Sequence, residues 1–189
     1  MALSDGKTVK GMEGIVVVTS VRLLAAIVLA ASFSAPAAAR DTWRYLSDKE
    51  AEIFGMHEPA VTLILTCESD KVGFGLTLQG SESEPLIDEE RAPGEVKVPL
   101  SLMVAVDGSP AEEYVGHTLY LSHTGTMSNF NGKDIAYRLA EHLGAAASGV
   151  ELAVVFEGNQ LWRRALAADG AIAASRQWIS KCGERYTGS

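Results

Sequence analysis

Thr62-Leu-Ile-Leu-Thr-Cys67 is a short apolar run rich in β-branched residues, with Pro59 before it and Asp70 after it. That pattern predicts a core β-strand. The run ends on one of two cysteines. The other, Cys182, lies near the C-terminus, where Ile172, Ser175, Ile179 and Cys182 recur at steps of three, four and three residues. Such spacing places the second thiol on the buried face of a closing helix.

Working outward, Glu68 to Lys71 reads as a turn, and Val72-Gly-Phe-Gly-Leu-Thr-Leu78 as the returning hairpin strand with Val72, Phe74, Leu76 and Leu78 on one face. Upstream, Asp41 to Leu46 and Ala51 to Met56 predict two further short strands. Residues 79–95 carry six acids against one arginine. They lack the D-x-[DN]-x-[DN]-G frame of a calcium loop, so a solvated connector is expected.

Val96 to Val106 predicts a long strand in which Pro99 marks an edge or bulge. Asp107-Gly-Ser-Pro110 follows as a turn. From Tyr114 to His123 a strand sets Val115, His117, Leu119, Leu121 and His123 along one face, and Thr124 to Gly132 reads as a Gly/Ser/Thr/Asn-rich turn. Asp134 to Leu143 predicts a helix whose Ile135, Leu139 and Leu143 stripe is stopped by Gly144. Val150 to Phe156 and Leu161 to Leu166 predict a hairpin around Glu157-Gly-Asn159. Asp169 is then placed to cap the last helix and Gly183 to end it. The fold class expected is α+β: a mainly antiparallel, sandwich-like β core with two short helices and one disulfide.

The N-terminus bears on location. Behind Arg22 runs Leu-Leu-Ala-Ala-Ile-Val-Leu-Ala-Ala, followed by small residues through Ala39. This describes a secretory signal peptide over residues 1–39, cut between Ala39 and Arg40. Translation starting near Met12 is compatible with the polar stretch before it. An uncleaved anchor over residues 15–32 is the competing reading, at the cost of holding Arg22 in the bilayer. Residues 40–189 then form a single periplasmic or secreted domain, membrane-attached only if the leader is retained.

That domain holds 13 lysines and arginines against 22 aspartates and glutamates, a net charge of −9. An acidic surface without a polybasic patch argues against nucleic acid and anionic headgroups as partners. Two cysteines in an exported chain most simply form one disulfide, Cys67–Cys182. No C-x-x-C or zinc-like histidine spacing supports a redox or metal pair, and no cofactor or metal is expected.

Catalytic signals are sparse. There is no G-x-S-x-G, S-x-x-K or H-E-x-x-H. His117 and His123, six residues apart on one strand, stand about 20 Å from each other, too far to share a metal. The stretch His117 to Ser128, rich in hydroxyls, is the alternative candidate, as a hydrolase site. Asp107 reads as a turn residue before a catalytic acid. Adjacent Arg163 and Arg164 point to opposite faces, and one of them could hold a carboxylate or another anion.

Three segments together resemble exported proteobacterial envelope proteins: Leu63 to Cys67, Val104-Ala-Val-Asp-Gly108, and Gly170-Ala-Ile-Ala173 onward to Cys182. The chain is similar to periplasmic accessory proteins of type VI secretion clusters and, more distantly, to invasion-associated locus B proteins. It departs from the former at Ala105, where they carry Arg, and at Ala165 to Gly170. The resemblance implies a non-enzymatic envelope protein that binds another envelope protein or a cell-wall component.

Overall fold

The computed structural model describes residues 42–82, 99–121, 124–130 and 132–186. The expected leader, its cut between Ala39 and Arg40 and the anchor over 15–32 lie outside the described residues, as do most of the acidic connector and His123. Among the described residues, no helix is long and apolar enough to cross a membrane.

Nine strands form one antiparallel sheet. They are β1 (Trp43–Ser47), β2 (Glu52–Glu58), β3 (Val61–Cys67), β4 (Val72–Gln79), β5 (Pro99–Val106), β6 (Glu112–Leu121), β7 (Thr124–Asn129), β8 (Gly149–Phe156) and β9 (Asn159–Ala167). Two helices, α1 (Lys133–Leu143) and α2 (Ala171–Arg185), complete the fold. The order across the sheet is β1-β2-β3-β4-β7-β6-β5-β8-β9. The antiparallel core, the two helices and the disulfide are all present as expected.

Alternation sorts the side chains. In β3, Val61, Leu63, Leu65 and Cys67 are buried while Thr62, Ile64 and Thr66 face outward. In β4, Val72, Phe74, Leu76 and Leu78 are all buried, as predicted. Helix α1 packs on β4 and α2, and α2 packs on β1 and β2. The inward residues of β5, β8 and β9 (Leu102, Val104, Leu152, Val154 and Leu166 among them) are buried in the same cluster. That cluster also holds the inward residues of β1 to β4 and of both helices. The two edges meet at one end, where Trp43 donates from its backbone N to the Asp169 carbonyl and from Nε1 to the Ala167 carbonyl, at 2.9 and 2.8 Å.

Four expectations are corrected. Thr124 to Gly132 is not a turn throughout: residues 124–129 form β7, the middle strand, paired with both β4 and β6. Gly125 and Met127 are buried while Thr126 and Ser128 are only partly so, a period of two that the turn-like composition hides. Burying Met127 opposite Leu76 and completing two ladders outweighs local propensity. In α2 the buried stripe is Ala171, Ala174, Ser175, Trp178 and Cys182, with Ile172 38% exposed. The helix is rotated because Trp178 buries more apolar surface than an isoleucine and donates Nε1 to the Glu52 carbonyl at 3.0 Å. Its N-cap is Gly170, in the left-handed region at φ 86°, not Asp169, and it runs past Gly183 to Arg185.

The end of α2 is fastened at several points. Cys67 and Cys182 are bonded, with Cα atoms 5.6 Å apart. One turn on, Arg185 pairs with buried Glu52 at 2.6 Å and donates to the Asp48 and Lys49 carbonyls. Glu52 lies opposite Cys67 in the β2–β3 ladder, so covalent and ionic fastenings are neighbours. Burial by itself raises the pKa of Glu52, but hydrogen bonds from Tyr45 and Arg185 outweigh it, leaving the carboxyl below its ordinary value. Where α1 meets α2, Ser175 Oγ donates to the Ala140 carbonyl at 2.6 Å, and a Cβ on Gly144 would lie 2.4 Å from that hydroxyl oxygen.

Replacing both cysteines by serine is expected to remove about 4–5 kcal/mol of stability, since the bridge closes a 115-residue separation. Thermal unfolding checks this, and reductant should bring the wild type down to the variant's Tm. Trp178→Ala is expected to cost about 3–5 kcal/mol, read by denaturant titration.

Candidate binding face

Most of the polar groups singled out in the sequence are engaged inside the chain. Asp107 ends β5 at φ 51°, and its carboxylate accepts from the amides of Ala147, Ser148 and Gly149 and from the Ser148 hydroxyl, at 2.7–2.9 Å. It is a turn residue, as expected, and it also pins the segment leading into β8. The Ala147 and Gly149 amides, with the Ser148 hydroxyl and amide, hold its carboxyl well below the usual range. A shallow, open groove of about 480 Å³ lies beside it, lined in part by Ser109, Ser148, Glu151 and Arg163.

The two arginines do point to opposite faces. Arg163 is exposed and pairs with Glu151. Arg164 turns inward and pairs with Glu58 at 2.8 Å and Glu82 at 3.2 Å; Trp162 Nε1 also donates to Glu82. The anion that Arg164 holds is thus the chain's own, and the start of the acidic connector is tied to β9 rather than solvated.

Tyr114, buried on the inner side of β6, donates to Glu112 at 3.1 Å and lies 3.0 Å from His142 Nδ1. A carboxylate only accepts, so the Nδ1–H of His142 is the donor to the phenol oxygen. Burial, then the Glu112 carboxylate, holds this phenol far above its ordinary value.

The His117 to Ser128 stretch is brought together in one respect. His117 and Ser128 stand directly opposite each other on β6 and β7. His117 is exposed, and the same face carries Val115 at 44% exposure while Tyr114 and Gly116 turn inward. Among the described residues, no hydrogen bond joins the pair, and no group of three His, Cys, Asp or Glu could hold a metal ion.

What remains open is the outer side of β3, β4 and β7. Thr62, Thr77 and Thr126 fall on one line across the three strands. Thr62 Oγ1 lies 2.7 Å from His57 Nδ1, and the hydroxyls of Thr77 and Thr126 are 3.3 Å apart. Beside this row, Phe130 is 43% exposed, its ring lying over Gly75, where a Cβ would be 3.6 Å from its tip. Gly73 sets that position, because the chain at Asn129–Phe130 crosses it so closely that a Cβ would meet the Phe130 Cα at 2.4 Å. Asn129 Nδ2 donates to the Val115 carbonyl at 2.9 Å and fixes the crossing. The turn-like composition of residues 124–129 hides this face from sequence pattern alone.

Compared with family models, curated proteins and solved structures, the chain matches none.

Asp107→Asn is expected to lower Tm by several degrees at neutral pH. Because the folded-state pKa is depressed, the stabilisation is complete above the unfolded value and begins to fall below about pH 4. It is lost as pH drops through the folded value, so the Tm gap between variant and wild type should narrow in acid. Gly73→Ala is expected to cost about 1–3 kcal/mol by overpacking, and to displace Phe130, read as a change in the near-ultraviolet circular dichroism.

Proposed function

We propose that this is an exported, non-catalytic protein of the cell envelope that binds a cell-wall component or another envelope protein through the outer face of β3, β4 and β7. The observation that carries the reading is the make-up of that face beside the charged groups already accounted for. Asp107, Glu52, Glu82, Arg163, Arg164 and Tyr114 each have partners within the chain, whereas the face presents hydroxyls and a half-exposed aromatic ring outward. The apolar run behind Arg22, the small residues through Ala39, the disulfide and the resemblance carried by Leu63–Cys67, Val104–Gly108 and Gly170–Cys182 support export.

A hydrolase is the second reading, favoured by the register that sets His117 opposite Ser128. It expects Ser128→Ala and His117→Ala each to abolish turnover of a chromogenic ester with the fold unchanged.

The test of the binding role is retention on native envelope material. Wild-type protein should be retained, Phe130→Asp should be released, and Ile172→Asp, a substitution on the exposed side of α2, should behave as wild type. Equal retention of all three would overturn the assignment of this face.

A further inference from the structure

We infer that the ligand of this face is an uncharged glycan; the inference rests on the binding reading above and names its chemistry. Charged residues make up 21% of the chain, yet none of the described outward positions of β3, β4 and β7 is charged. An anionic polymer meets no lysine or arginine there and is repelled by the net negative domain, and a cationic one meets no carboxylate.

The face offers hydroxyls instead. Thr62, Thr77 and Thr126 stand in register on successive strands, so they form one continuous row, with the Thr77 and Thr126 hydroxyls 3.3 Å apart. Each hydroxyl both donates and accepts, as do the hydroxyls of a saccharide. The pairs His57–Thr62 and Thr77–Thr126 spend only part of that capacity. Ser128 and Thr66 add hydroxyls in the next two rows on the Phe130 side, level with Gly75 and Gly73.

The Phe130 ring supplies an apolar plane beside these groups, against which the C–H face of a sugar can stack. A protein partner fits less well. Interface cores between proteins are enriched in aromatic residues, Met and Arg and depleted in Ser, whereas this face sets one aromatic ring and one aliphatic side chain, Ile64, among hydroxyls and glycines.

The test is calorimetric titration of the purified, oxidised protein with an uncharged N-acetylglucosamine hexamer, with carboxymethylated cellulose as the anionic comparison. The hexamer should bind with an affinity insensitive to ionic strength, and the anionic polymer should not bind. Thr77→Val with Thr126→Val keeps shape and strand propensity while removing two hydroxyls, and should weaken the hexamer by about tenfold or more. Phe130→Ala should do the same, and Ser109→Ala, in the groove beside Asp107, should leave binding unchanged. Absence of hexamer binding, or binding unchanged by the valine pair, overturns the inference. If the hexamer fails while Phe130→Asp still abolishes retention on envelopes, the glycan is wrong and the binding face stands; if both fail, the face itself is wrong.

Discussion

The fold depends on how α2 is held against the open end of the first hairpins. Its buried side chains, Ala171, Ala174, Trp178 and Cys182, cover the inner faces of β1 and β2, and a helix at the end of a chain frays unless it is tied down. Cys182 is bonded to Cys67, Arg185 grips Glu52, and Trp178 bonds the Glu52 carbonyl. These fastenings converge on one rung of the β2–β3 ladder. The helix that arrives last in the chain is thereby locked to strands made more than a hundred residues earlier.

That lock answers a geometric problem. The two helices cover only part of a nine-stranded sheet, and the inner residues of β5, β8 and β9 need cover of their own. The sheet supplies it by rolling until β9 reaches the ends of β1, β2 and the turn after β4. Trp43 bonds Ala167 and Asp169 there, and Arg164 reaches Glu58 and Glu82. Arg164 sits on the inner side of β9, where an unpaired charge would be costly; two carboxylates from distant segments meet it. Asp107 plays a comparable part at another join, spending a carboxylate on three backbone amides of the segment that leads into β8. Carboxylates in this acidic chain are thus used to fasten joins, while the outer face of β3, β4 and β7 is left uncharged.

The outer face of β3, β4 and β7 follows from the same arrangement. β7 lies between β4 and β6, and its end crosses β4 over Gly73, which is why the tip of the Phe130 ring reaches Gly75. The glycines of β4 are closely tied to this crossing, since a side chain at position 73 would push it away.

Most elements were legible from periodicity alone. Alternation in Val61 to Cys67 and Val72 to Leu78, the four-residue steps of Ile135, Leu139 and Leu143, and the turn at Asp107-Gly108 all carry their own signal, because each depends on neighbours within a few residues. The pairing of Cys67 with Cys182 was legible too, because a chain with two cysteines has one internal bridge to make. What the sequence did not disclose depends on partners far away in the chain. Thr124 to Asn129 is turn-like in composition and becomes the middle strand only because β4 and β6 both present an open edge to it. The rotation of α2 is set by the pocket that receives Trp178, the inward Arg164 by Glu58 and Glu82, and the outer hydroxyl row by a register spanning three strands. Local pattern determines which segments are strand or helix; long-range burial and pairing decide which of their faces look inward, and so which surface is left to solvent.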